Sequence, residues 1–196
     1  TGRSYSLPAH SLPSARGQGE PLTGRISPPS GATFEGLIIG DPQNRYLVAS
    51  DAGYGFITQL ENLFSKNKAG KTVLSLPKGG KVLSPQLVTD SDSDEIVGIT
   101  NEGRMLMFRI NELPELAKGK GDKIIAIPSA RVAERLEFVV AYAVISVGQE
   151  LVIHSGKRFI RLAMSDLEHY RSERGRRGNK LPRGFQKVDK VEVQSK

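Results

Sequence analysis

Lysine and arginine gathered around glycine are the side chains whose spacing suggests a task. Residues 65–71 read SKNKAGK, with three cations and no acid. Residues 118–123 read KGKGDK, with three cations and one acid, and residues 171–180 read RSERGRRGNK, with five cations and one acid. A fourth stretch, SARGQGE at 14–20, is neutral, and Arg16 is its one cation. Cations neutralise phosphates and release their counterions, and glycine lets backbone N–H groups come close to phosphate oxygens. The chemistry this suggests is the holding of a polyanion, not the making or breaking of a bond.

Bond-making groups are scattered. His10, His154 and His169 are isolated, and there is no cysteine to complete a metal site or a thiolate nucleophile. AGKT at 69–72 has the ending of a phosphate-binding loop, but Ser65 stands where that motif demands glycine, and no long helix follows. The GxG pairs at 17–19 and 119–121 lack a third glycine in phase and a βαβ context. Asp90, Asp92, Asp94 and Glu95 crowd together, but without the glycine and terminal glutamate of a calcium loop. A solvated acidic hairpin tip is expected there. None of the five tyrosines has an activating base beside it. No catalytic, cofactor-binding or metal-ligating residue is expected.

The charge is uneven. Residues 155–196 hold twelve Lys/Arg against five Asp/Glu, so the whole net charge of +7 lies there, while residues 1–154 are neutral. That asymmetry points to an anionic partner, nucleic acid before membrane surface. No apolar run approaches the roughly 18 residues a membrane helix needs. The absence of cysteine suits a reducing compartment. The opening TGRSYSLPAH has neither a start methionine nor a signal peptide. It reads as an internal cut in a longer protein.

The elements that carry the basic stretches repeat. Gly2, Gly53, Gly103 and Gly156 open four copies at intervals of 51, 50 and 53 residues. A short alternating run follows each, then Leu12, Leu63, Leu113 or Leu167, then a loop ending near Gly19, Gly70, Gly121 or Gly178. NRYLVAS, DEIVGIT and QELVIHS lead into the later opening glycines through tight-turn sequences. TFEGLII, VLSPQLV and LEFVVAYAVI are further strand candidates, and short helices are expected at 61–65, 112–117 and 165–171. A unit of about fifty residues with four short strands predicts an all-β, propeller-like array. The expected organisation is one domain over 1–196 with about four four-stranded blades. The approximate repeats are 1–48, 49–98, 99–151 and 152–196, and the first is truncated. FQKVDKVEVQ, at 185–194, is expected to pair elsewhere and help close the array. Because the basic loops share one phase, they should share one edge. The phosphate-contacting candidates are Lys66, Lys68, Lys71, Lys118, Lys120, Lys123, Arg171, Arg174, Arg176, Arg177 and Lys180. Arg16 is a weaker one because Glu20 follows it closely.

Several of these stretches are specific. GRSYSLPAHSLPSARGQGEPLTGRI, ASDAGYGFITQLENLFSKNKAGK, GRMLMF, KGKGDKI and RGRRGNKLPRGFQKVDKVE together cover nearly the whole chain. They closely resemble the C-terminal domain of the A subunit of bacterial DNA topoisomerase IV, the ParC type. They are similar, more distantly, to the C-terminal domain of the gyrase A protein. The resemblance implies a β-pinwheel, whose blades exchange strands with their neighbours and whose outer rim binds and bends DNA. It implies a parent ATP-dependent type IIA topoisomerase that decatenates and relaxes DNA as a heterotetramer with a B subunit. ATP and Mg²⁺ chemistry would lie on other domains or on that partner, and the location would be the bacterial cytoplasm, at the nucleoid. The gyrase basic box has only a degenerate match here, Arg174 to Lys180, in the last copy rather than the first. That departure favours topoisomerase IV over gyrase-type supercoiling. The alternative is a propeller-type protein-interaction module. It would need aromatic anchors, and the chain has no tryptophan and only 6% aromatic residues.

Overall fold

The structure is a computed structural model and describes residues 1–195. The first repeat supplies β1 (Arg3–Ser4). Counting each later repeat from the strand that leads into its opening glycine, a few residues before the boundaries given above, the second supplies β2 (Arg45–Ala49), β3 (Tyr54–Gln59), β4 (Lys71–Thr72) and β5 (Gln86–Val88). The third supplies β6 (Glu95–Thr100), β7 (Arg104–Arg109), β8 (Asp122–Lys123), the one-turn helix α1 (Ser129–Ala133) and β9 (Val139–Ile145). The last supplies β10 (Gln149–Ser155), β11 (Arg158–Leu162), α2 (Met164–Leu167), β12 (Asn179–Lys180) and β13 (Lys190–Ser195).

Each later repeat gives one strand away. Its first two strands form an antiparallel hairpin, and its last strand returns to pair with the first. The two-residue strand just after the basic loop crosses to the preceding sheet. There β4 pairs with β1, β8 with β3, and β12 with β7. The sheets are therefore β1-β4, β5-β2-β3-β8, β9-β6-β7-β12 and β13-β10-β11. This strand exchange means that the sequence period and the blade do not coincide. A period that starts at an opening glycine cuts the hairpin that forms the middle of a blade.

Burial explains why the strands read as continuous apolar runs. The middle sheets are covered on both faces, so alternate residues face different neighbours. On β2, Tyr46 and Val48 join Phe56, Val73 and Leu74 toward the first sheet, while Leu47 and Ala49 pack with Leu106, Phe108 and Ile124 toward the third. On β6 and β7, Val97, Ile99, Met105 and Met107 pack with Leu151, Ile153 and Leu167 toward the last. Fully burying a side chain such as Phe56 or Phe108 contributes roughly 1.5–3 kcal/mol. The far face of the last sheet has no such cover. It carries charged pairs instead: Arg161 to Glu150 at 2.9 Å and His154 to Glu192 at 2.8 Å across strands, and Lys190 to Glu192 at 2.6 Å along β13.

Four details depart from what the sequence predicts. The last sheet has three strands where four are expected, because among the described residues it receives no exchanged strand; the first, truncated as expected, holds β1 and β4. Residues 33–39 form no strand: Ser84 and Pro85 lie against Gly36, but no backbone hydrogen bonds join the two segments, and Pro85 has no N–H to donate. Leu37 and Ile39 there are 87% and 81% exposed. The 82–88 run shortens to β5, just past Pro85, which has no N–H to donate. The C-terminal strand β13 does not close the array but pairs with β10 of its own repeat.

Candidate nucleic-acid interface

The three basic loops have the same backbone environment. In each, the residue two places before the loop glycine gives its carbonyl to an amide of the repeat before it. Ser27 donates to Lys68 O at 2.7 Å, Ser75 to Gly119 O at 2.9 Å, and Ala126 to Arg176 O at 2.9 Å. In each, the residue three places after the loop glycine donates to the carbonyl of the preceding opening glycine. Val73 reaches Gly2 at 2.9 Å, Ile124 reaches Gly53 at 2.7 Å and Leu181 reaches Gly103 at 2.8 Å. Further bonds tie loop to loop. Gly119 N donates to Val73 O at 2.9 Å and Gly175 N to Ile124 O at 2.8 Å. The loops thus form one strip along successive sheets, and the fold holds them in register.

The cations on that strip divide into two kinds. Lys66, Lys68, Lys118 and Lys123 are exposed and have no acidic partner within salt-bridge distance among the described residues. Lys120 is exposed, with its ammonium 4.2 Å from the centre of the Tyr54 ring, and Lys123 lies 5.9 Å from the same ring. Arg176 pairs with Glu173 at 2.7 Å, but both are exposed, so the pair is worth little and leaves the guanidinium accessible. Arg16 is exposed, and Glu20 is turned away from it to Arg25 at 2.9 Å.

The other candidates hold the protein together. Arg171 donates to Glu95 at 3.0 and 2.8 Å and to Glu168 at 2.7 and 2.8 Å, and Glu95 is buried. Arg174 donates to Lys123 O at 2.8 Å and pairs with Asp122 at 3.2 Å. Arg177 donates to Ala126 O at 2.6 Å and lies 2.9 Å from the buried carboxylate of Glu137, which Arg131 also meets at 3.1 Å. Lys71 folds back on the Asn62 carbonyl, and Lys180 donates to the Glu102 carbonyl at 2.7 Å. The most basic stretch of the sequence is thus mainly a staple between blades, with Arg176 its freest cation. Hydrogen bonds from Arg171 hold the Glu168 carboxyl below its usual range. The bonds to Glu168 and Glu95 in turn raise the Arg171 pKa, so it stays charged.

The acidic tip is less solvated than its composition suggests. Asp94 is fully buried, accepting from the amides of Thr89 and Asp90 at 2.9 Å each and from Ser146 at 2.7 Å. Backbone hydrogen bonding from Asp92 keeps the Asp90 carboxyl below its usual range. Among the described residues no group of three or more His, Cys, Asp or Glu could hold a metal ion, and no helix is long and apolar enough to cross a membrane. Three residues that charge and glycine content do not single out also belong to the strip: Arg3, Tyr54 and Arg104. Each immediately follows an opening glycine, and that shared phase is the signal by which they were legible.

A sheet array that passes one short strand per repeat to its neighbour, with cationic loops aligned at the crossings, defines a strand-exchanging β-propeller with a basic edge. The chain belongs to the family described as DNA gyrase C-terminal domain, beta-propeller, which matches residues 45–89 and 94–146. Among curated relatives, the A subunit of DNA topoisomerase 4 from Pseudomonas aeruginosa is 58% identical over 193 residues, covering 98% of this chain and 26% of that protein. The protein of the same name from Escherichia coli K12 is 46% identical over 195 residues, covering 100% and 26%. The chain therefore spans about a quarter of the length of these relatives. The solved structure of the E. coli ParC C-terminal domain matches with a TM-score of 0.92 at 45% identity, covering all of this chain and 79% of that one.

Proposed function

We propose that this chain is the DNA-binding and DNA-bending domain of a type IIA topoisomerase, and that it has no chemistry of its own. The observation that carries this reading is the strip of three in-register loops with exposed cations at Lys66, Lys68, Lys118, Lys120, Lys123 and Arg176. These cations meet phosphates, which carry no sequence information, so the domain positions a duplex without reading it. Successive loops ride on successive sheets, and a duplex that bends along them touches more of the strip. The likeness to the topoisomerase 4 relatives supports a parent enzyme that is ATP-dependent and decatenates and relaxes DNA in the bacterial cytoplasm, at the nucleoid. In that reading the heterotetramer is completed by a B subunit, and ATP and Mg²⁺ act outside this chain.

The test is binding to two duplexes of unrelated sequence over a range of salt. Near-equal affinities that fall steeply with salt are expected. An interaction that ignores salt, or that distinguishes the two sequences strongly, overturns the reading.

A further inference from the structure

We infer that the residue directly after each opening glycine (Arg3, Tyr54 and Arg104) is a positioning residue that aims the next repeat's basic loop at DNA; the aim, though not the hold, rests on the function proposed above.

The three occupy one place in the fold. Each stands opposite the second residue of the exchanged strand: Arg3 faces Thr72, Tyr54 faces Lys123 and Arg104 faces Lys180. From there each reaches back over the incoming loop. Arg3 donates to the Gly70 carbonyl at 3.2 Å, to Ala69 O at 2.9 Å and to the Thr72 hydroxyl at 3.2 Å. Arg104 donates to the Gly178 carbonyl at 3.2 Å. Gly70 and Gly178 are the same position in two loops, so two guanidiniums, sixty-seven and seventy-four residues away in sequence, hold the same atom of the repeat. Tyr54 reaches the third loop differently, placing its ring 4.2 Å beneath the ammonium of Lys120, next to Gly121.

The consequence concerns the free lysines. Lys66 and Lys68 stand on exposed backbone, and a loop free to move would lose entropy each time it met phosphate. Arg3 removes part of that cost by fixing the backbone that carries them. Arg104 does the same for Arg176, and Tyr54 fixes Lys120 directly. The fourth residue of the set, Lys157, follows Gly156, and among the described residues no loop crosses it: a side chain built at Gly156 would meet open space. Lys157 is the internal control.

Arg→Lys keeps the charge but loses the planar fork, so it separates positioning from electrostatics. Hydrogen exchange without DNA should quicken about tenfold at loop amides 66–70 and 174–178 in the Arg3→Lys/Arg104→Lys chain, with loop 118–121 unchanged. Lys157→Gln should leave all three loops as they were. Against duplex DNA at fixed salt, the double variant should bind about three- to tenfold more weakly at unchanged net charge. Tyr54→Leu should lose about two- to fivefold, the range of an exposed cation–π contact, while Tyr54→Phe should stay near the parent. Unchanged exchange in the double variant overturns the hold. Faster exchange with unchanged affinity overturns the aim. If the parent chain shows no salt-dependent binding at all, the proposed function fails, and the exchange data still decide whether these side chains hold the loops.

Discussion

Arg171 donates to both carboxylate oxygens of Glu95, at 3.0 and 2.8 Å, across seventy-six residues of sequence. Glu95 starts the central strand β6 and is buried, while Arg171 begins the most basic loop. The charge that looks most available in the sequence is thus bound to the core. Arg171→Met leaves a nearly buried carboxylate without its partner and should destabilise the chain by about 3 kcal/mol, the low end of the cost of breaking a buried pair. Denaturant unfolding measures this. DNA affinity at a temperature where the variant stays folded should hardly change. Adding Glu95→Gln should recover part of the lost stability.

The crowded loop glycines Gly70, Gly121 and Gly178 differ sharply from the last opening glycine, Gly156. Gly121 has φ +77°, and a methyl group there would overlap the Gly55 carbonyl. Gly156 has φ +59° with nothing near it. Gly156→Ala should cost about 1–2 kcal/mol, the penalty for a side chain in the left-handed region. Gly121→Ala should cost clearly more, because the exchanged strand β8 must also move. Thermal melts of the two variants compare them directly, at about 2–4 °C per kcal/mol for a chain of this size.

Two groups of side chains contribute to the pH limits. The carboxyls of Glu168 and Glu192 are held below their usual range, by Arg171 and by Lys190 with His154 respectively. Stability from these pairs is present above the unfolded glutamate value of about 4.3 and is lost as pH falls through the lower folded values. Tyr142 is pushed well up, chiefly by burial, and its hydroxyl donates to Ser50 O at 2.8 Å. Its contribution is full below about pH 10 and drains away as pH rises toward its folded value. Unfolding free energies across pH should form a plateau that falls at both ends. Tyr142→Phe should lessen the alkaline fall, and an unchanged alkaline limb would contradict this assignment.

Much of the architecture is legible in the sequence because the repeat is nearly regular. Gly53, Gly103 and Gly156 mark the hairpin turns, Gly2 keeps their phase, and the basic loops follow at a steady distance. The exchange follows from the family resemblance and not from the residue pattern, because two residues such as Asp122 and Lys123 carry no signal that says which sheet they join. Residues 33–39 have strand composition, yet composition cannot supply a partner strand. The division of the cations is hidden for a similar reason. Arg177 and Arg176 are neighbours, but the buried Glu137 that claims Arg177 lies forty residues away. Local charge counts both equally, and only tertiary structure separates the staple from the free cation.

The central claim is that exposed loop cations, and not the stapled arginines, meet the phosphates. The most direct test is the salt dependence of duplex binding in the parent chain and in a Lys66→Gln/Lys68→Gln/Lys118→Gln variant. Six engaged cations give a slope of log affinity against log salt of about −5, and losing three should reduce it to about −3. The account predicts that reduction without loss of folding. A variant whose slope equals that of the parent would contradict it, since the phosphates would then be met somewhere else on the molecule.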